Sequence, residues 1–328
     1  MDSLKKNQEL ELIDQIRDWT GSPFIGDDCA VLGAGTLASV DTLVDEVHFR
    51  SEQIDFRDLG WKAVAVNLSD IAAMGGRPRY VLVSLSVPDN FSRSKIKNIY
   101  DGIMECTSAF RVRVAGGDLT GGSVLSISVT VLGDAHEDGL LLRSGAKPSD
   151  LVVVTGDFGA SACGFFSLDK PALKTPYCKD RHFRPKPRLC ESWALMRATR
   201  GRGALMDASD GLADALFQIA LASDCDISLD AEKVPVHQEC LETARQVGLD
   251  HLDWALYGGE DYELVACLDR SSFEALSKEH GQTPFNSFHV IGEVRQKAAE
   301  QVSVTIHLDD ERTGTIDMGK SFQHFKSD

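Results

Sequence analysis

Five short segments of this chain end an apolar run on an aspartate. They read Gly26-Asp27-Asp28, Ser39-Val40-Asp41-Thr42, Asn67-Leu68-Ser69-Asp70, Gly116-Gly117-Asp118 and Asp207-Ala208-Ser209-Asp210-Gly211. Aspartate is a poor residue for the interior of a strand or a helix, so its recurrence beside small residues at element ends asks for a chemical reason. Carboxylates that converge repel one another unless a cation lies between them. Mg²⁺ takes hard oxygen ligands and commonly bridges protein carboxylates to phosphates, so the pattern points to phosphate chemistry. Asp118 follows two glycines, which let a ligand approach the backbone closely and leave amides free to face a phosphate. Asn67 and Asp70, three apart in a helix, share a face. Arg143 is a bidentate donor suited to clamping a phosphate, or else a solvated boundary arginine. Singly, each segment is an ordinary turn or helix start. Their joint recurrence at element ends in both halves of the chain is the signal.

Other chemistries lack their motifs. The chain has no G-x-x-x-x-G-K-[ST] loop, no H-R-D or D-F-G set, no H-E-x-x-H and no G-x-S-x-G. Its histidines are dispersed, and His48 stands out only because its segment follows the Asp41 strand. Gly156 to Gly164 has the glycine content of a dinucleotide loop without its spacing, and is read as turn and packing. The 50 acidic residues against 34 basic ones give a formal charge of -16, which disfavours nucleic acid or an anionic membrane as the main partner. Eight scattered cysteines without C-x-x-C pairs suit buried, reduced thiols in a cytoplasmic protein. The N-terminus lacks the apolar core of a signal peptide, and no uncharged apolar run approaches the ~18 residues of a membrane span.

The elements that must position these residues follow from periodicity. Leu10 to Trp19 reads as an amphipathic helix, and Ala30–Leu32 and Leu37–Val40 as strands around a Gly-Ala-Gly turn. Trp61, Val64, Ala65, Leu68, Ile71 and Ala72 recur at helical spacing, and Gly75-Gly76 and Pro78 stop that helix. Tyr80–Val87 is a strand, Ser92–Phe110 a helix, Val112–Ala115 a strand ending at the two glycines, and Leu125–Val131 an alternating, half-buried strand. A polar stretch from Asp134 and a turn-rich loop to Asp150 mark a boundary, giving domains 1–138 and 139–328. The second half opens with the apolar strand Leu151–Thr155. Ser209 or Asp210 is expected to cap the helix that starts at Leu212.

Taken together, these segments resemble the thiamine-monophosphate kinase family. The matching stretches include Ile25-Gly26-Asp27-Asp28-Cys29-Ala30, Asn67-Leu68-Ser69-Asp70, Gly116-Gly117-Asp118, Arg143-Ser144-Gly145-Ala146-Lys147-Pro148, Asp207-Ala208-Ser209-Asp210-Gly211 and Gly258-Gly259-Glu260-Asp261-Tyr262-Glu263-Leu264. Several are shared with the wider aminoimidazole-ribonucleotide synthetase, or PurM-like, superfamily; Arg-Ser-Gly-Ala-Lys-Pro and Gly-Gly-Glu-Asp-Tyr-Glu-Leu are more particular to the kinase. The resemblance implies an α/β, two-domain PurM-like fold and a homodimer whose N-terminal sheets pair into a barrel. It implies transfer of the ATP γ-phosphate to thiamine monophosphate, with several Mg²⁺ ions. By that match Asp28, Ser39, Asp41, Asp70, Asp118, Asp207 and Asp210 bind Mg²⁺, with Asp118 and Asp210 catalytic. Gly117, Asp118, Arg143 and Ser209 contact ATP, and His48, Glu260 and Phe322 contact the thiamine substrate. One departure is Val40, where the family commonly has threonine; Ser39, Thr42 or water would then serve that ion. Competing readings are a selenophosphate or aminoimidazole-ribonucleotide synthetase, and a non-catalytic metal- and nucleotide-binding dimer of the same fold. The first would want a reactive cysteine near the N-terminus, and none precedes Cys29.

Overall fold

The computed structural model describes residues 8–280, 288–308 and 312–321. In chain order the elements are α1 (Gln8–Thr20), β1 (Ala30–Leu32), β2 (Thr36–Val44), α2 (Phe56–Ala73), β3 (Arg77–Val87), α3 (Arg93–Ala109), β4 (Arg113–Gly121) and β5 (Ser126–Asp134). They continue with β6 (Leu151–Thr155), α4 (Ala160–Phe166), α5 (Pro176–Phe183), α6 (Leu189–Thr199), β7 (Ala204–Asp207), α7 (Leu212–Ser223) and β8 (Asp226–Asp230). The last are α8 (Gln238–Val247), α9 (His251–Tyr257), β9 (Leu264–Leu268), α10 (Arg270–His280), β10 (Phe288–Arg295), β11 (Val304–His307) and β12 (Thr313–Thr315).

Two mixed sheets result. The first has the order β1-β2-β5-β3-β4, the second β12-β11-β8-β10-β6-β9-β7. Along β2 the two-residue period sends Leu37 and Leu43 into the core while Val40 and Thr42 stay exposed. Ser39 and Asp41 share the parity of the two leucines, so they face inward, toward α2.

Helix α2 begins at Asp55, whose carboxylate accepts the Arg57 N–H at 2.7 Å. It is apolar nearly all round because it is covered nearly all round: it packs on β2 and β5 of the first sheet and reaches β7 of the second. Burial therefore extends to its polar residues Lys62, Asn67 and Ser69, each 0% exposed. Buried polar groups need partners, and theirs build the site described below.

Two expectations are corrected. The glycines Gly116 and Gly117 do not end a strand: β4 runs through them to Gly121, paired in parallel with β3. A Cβ on Gly117 would lie 1.8 Å from the Val83 carbonyl oxygen, so glycine is required by the close approach of β3. Helix α7 is not capped by Ser209 or Asp210; its N-cap is Gly211, with no side-chain cap bond.

Candidate active site

Three carboxylates meet where the two halves pack together. Asp28 comes from the loop before β1, Asp70 from the last turns of α2, and Asp207 from the end of β7. One oxygen from each lies within 4.8 Å of the other two. Each is oriented by a neighbour. The Ser39 hydroxyl donates to Asp70 Oδ2 at 2.5 Å, and the Ser69 hydroxyl donates to Asp207 Oδ2 at 2.5 Å. Arg143 forks onto Asp28, with Nη2 to Oδ1 at 2.9 Å and Nε to Oδ2 at 3.4 Å. Its own backbone N–H donates to Asp27 Oδ1 at 2.9 Å. Asp41 joins through its backbone, which donates to Asn67 Oδ1 at 3.0 Å. The i, i+3 pair Asn67 and Asp70 thus fastens α2 to β2.

A second group of residues adjoins this set. Segments 207–211 and 258–263 are tied backbone to backbone: the Glu260 N–H donates to the Ser209 carbonyl at 2.6 Å, the Tyr262 N–H to Ala208 at 3.2 Å, and the Ala208 N–H to Glu263 at 2.8 Å. Glu260 and Tyr262 both adopt positive φ, +58° and +52°. Such strain in residues with side chains persists only where the surroundings impose it, and it clusters at functional sites. Glu260 reaches Lys62 Nζ at 2.8 Å and His182 Nδ1 at 3.3 Å. Below it, Glu263 is fully buried between Arg181 (2.7 Å) and Arg188 (Nε at 2.6 Å), and accepts from the Thr155 hydroxyl at 2.7 Å.

Electrostatics divide the two groups. Burial, and then the charge of Asp28, pushes Asp41 up to about 6 and Asp207 up to about 8. Asp70 rises well above the ordinary carboxylate range through burial and the charges of Asp41 and Asp207. Asp210 rises through burial and the neighbouring Asp214. Glu260 behaves oppositely. Burial opposes its ionisation, but Lys62 and the His182 ring hold it well below the usual range. The aspartates therefore form an under-compensated anionic nest, short of positive charge at neutral pH. Glu260 is a charge already paired. Hard oxygen donors so arranged suit a small divalent cation.

Of the residues singled out in sequence, Asp28, Ser39, Asp41, Asp70, Asp207 and Arg143 come together here, with Ser209, Asp210 and Glu260 on the adjoining loops. His48 lies in the turn after β2, its Nδ1 accepting the Val44 N–H at 3.1 Å. Asp118 and Gly117 stand apart. Asp118 pairs with Ser84, and that row continues through Ser128 to Thr42, which places Asp118 on the open face of the first sheet. Three strand spacings, about 14 Å, separate it from β2. Val40 and Thr42 both lie on this open face, whereas Ser39 shares the inward face with Asp41. Phe322 lies outside the described residues.

Sequence reasoning passed over Lys62, His182, Asp214 and Gln218. Arg143 Nη1 donates to Gln218 at 2.5 Å, and Gln218 in turn donates to Asp214. A helical count from Asp214 to Gln218 carries that signal, since i, i+4 residues share a face.

A family model described as "AIR synthase related protein, N-terminal domain" matches residues 26–135. The mixed α/β architecture and the acid-lined junction define a member of this PurM-like class. Within the class the relatives are specific. A thiamine-monophosphate kinase of Bacillus subtilis strain 168 is 37% identical over 315 residues, covering 92% of this chain and 93% of that one. Another, from Synechococcus elongatus, is 32% identical and covers 98% of each chain. Among solved structures, one described as "AaThiL complexed with AMPPCP and TMP" superposes with a TM-score of 0.83 at 29% identity, covering 98% of this chain and 100% of that one. The chain belongs to the thiamine-monophosphate kinase family.

Proposed function

We propose that this protein transfers the γ-phosphate of ATP to thiamine monophosphate, giving thiamine diphosphate and ADP, with Mg²⁺ as the cation of the aspartate nest. The observation that carries this reading is the convergence of Asp28, Asp70 and Asp207 within 4.8 Å across the junction of the two halves. Family membership adds the substrates: one relative's structure was solved with AMPPCP and TMP. An oxygen of the thiamine monophosphate phosphate attacks the γ-phosphorus, and the bond to the β,γ-bridging oxygen breaks as ADP leaves. The attacking oxygen is already ionised at neutral pH, so neither a protein nucleophile nor a strong general base is required. Bound Mg²⁺ would neutralise the two anionic substrates and the charge of the transition state.

The residues fall into roles. Asp28, Ser39, Asp41, Asp70, Asp207 and Asp210 would hold the cations, Asp210 from the loop that also carries Ser209. Arg143 and Ser209 would contact ATP. Glu260, kept ionised by Lys62, would accept hydrogen bonds from the aminopyrimidine of thiamine. His48 and Phe322 would complete that subsite. The halves would act as two domains, 1–138 and 139–328, in a cytoplasmic protein. A homodimer through the first sheet is supported by its open face, where Val40 and Leu82, in one cross-strand row through Thr130, are 60% and 37% exposed. Gly117 and Asp118 on that face would then contribute to ATP and Mg²⁺ binding in the assembled dimer.

The test is direct. The protein is incubated with ATP, Mg²⁺ and either thiamine monophosphate or free thiamine, and the products are separated. Thiamine diphosphate from the monophosphate alone is the expected result. Binding of Mg-ATP without turnover would instead identify a non-catalytic member of the fold.

A further inference from the structure

We infer that the N-terminal ends of β3 and β4 form a second anion site, one that takes a phosphate-bearing ligand with a planar ring, such as a nucleotide without its metal. A hollow of about 460 Å³ lies there, walled chiefly by Arg77, Arg79, Arg111, Arg113, Tyr80 and Trp193. Four guanidinium groups around one hollow are unexpected in a chain of net charge -16. Like charges so close repel, and little within the protein relieves them. Arg79 meets Asp134 at 3.4 Å, but both side chains are more than half exposed, and such pairs are worth little. Arg77 stands 6.0 Å from the Trp193 ring and 3.5 Å from His136 Nε2, neither of which is an anion at neutral pH. Arg111 and Arg113 make no side-chain hydrogen bond or ion pair with any described residue.

Arg111 adopts φ +57° because it ends α3 in a left-handed turn, closed by the Val112 N–H donating to the Thr107 carbonyl at 2.8 Å, and this turn aims it at the hollow's rim. The rings suit a ligand. Trp193 is fixed by its indole N–H, which donates to the Gly76 carbonyl at 2.7 Å, and Tyr80 is 40% exposed. Guanidinium forks match phosphate oxygens two at a time, and the rings supply stacking faces for a base. The hollow is separate from the aspartate nest: Arg113 pairs with Tyr80 at one end of the open face, and that row crosses Leu132 to reach Ala38 on β2, three strands away.

The two sites have opposite charge, which makes them separable. Without a divalent cation the aspartate nest repels ATP, while the arginine hollow attracts it. Full-length protein is therefore titrated calorimetrically in EDTA with ATP, inorganic triphosphate and adenosine. The variants are Arg111→Gly, which also relieves the positive φ, and Arg113→Gln, with thermal midpoints measured for each. ATP should bind in EDTA, less tightly as salt rises, and at least about tenfold more weakly in each variant. Triphosphate should bind more weakly than ATP, adenosine not at all, and Mg²⁺-dependent turnover should persist in both variants. Absence of ATP binding in EDTA, or binding unchanged in both variants, overturns the site. Triphosphate binding as tightly as ATP overturns the ring component.

Discussion

Lys62 Nζ of α2 lies 2.8 Å from Glu260 Oε1, joining the two halves of the chain at the edge of the aspartate nest. The lysine side chain is 1% exposed and the glutamate 28% exposed, so the pair is asymmetric. Removing Glu260 strands a buried ammonium, whereas removing Lys62 leaves a glutamate that still has His182 and some water. Glu260→Ala should therefore destabilise by about 3–5 kcal/mol. Lys62→Met should cost clearly less, and the double variant Lys62→Met/Glu260→Gln should recover most of the loss. Denaturant unfolding of the three proteins measures this. Equal costs for the two single changes would mean that the pair does not carry the buried charge.

The raised aspartates tie stability to pH and to metal. Asp41 and Asp207 have folded values of about 6 and about 8, above an unfolded value near 3.8. Between those limits the unfolded chain has released protons that the folded one keeps. Their contribution to stability is thus present at acid pH and lost as pH rises toward 8. The Tm of metal-free protein should fall from pH 5 to pH 8, and Asp207→Asn should flatten that slope. Mg²⁺ competes with the same protons, so it should raise Tm more at pH 8 than at pH 5. A larger Mg²⁺ effect at pH 5 would reject these carboxylates as the metal site.

Cys190 is the exposed thiol among eight unpaired cysteines; the other seven are 2% exposed or less. A chromogenic disulfide reagent should titrate one thiol promptly in the native protein and the other seven only after unfolding. Prompt reaction of several thiols would show that the buried set, including the packed Cys163, Cys178 and Cys240, is accessible.

Parts of the site that rest on local spacing were legible in the sequence. Asn67 and Asp70 had to share a helical face, and the structure sends both to β2. Ser39 and Asp41 share a parity on one strand, and that parity faces α2. What was not legible depends on long-range packing. Lys62 looks like one more polar position on an apolar helix until α2 is seen to be enclosed and Glu260 is brought beneath it. Helix α5 supplies both His182 to Glu260 and Arg181 to Glu263, and nothing in Pro176 to Phe183 announces either contact. Gly116 and Gly117 misled for a different reason. Paired glycines usually break a strand, but here β4 runs on beside β3, and the Val83 carbonyl leaves no room for a Cβ at Gly117.

Asp118 tests how much of the site one chain holds. Asp210→Asn, in the loop beside the nest, should lower kcat by about 10²-fold or more if it stabilises charge in the transition state. Asp118→Asn should also lose most of kcat, although Asp118 lies on the open face about 14 Å from β2. That loss is understandable only if pairing of the open faces brings Asp118 to the phosphates. Replacing both Val40 and Leu82 with arginine places two charges on that face without touching the aspartate nest. Light scattering should then report a monomer, and turnover should fall to the level of Asp118→Asn. A monomer with undiminished kcat would separate Asp118 from the reaction and leave Asp28, Asp41, Asp70, Asp207 and Asp210 as the complete acidic site.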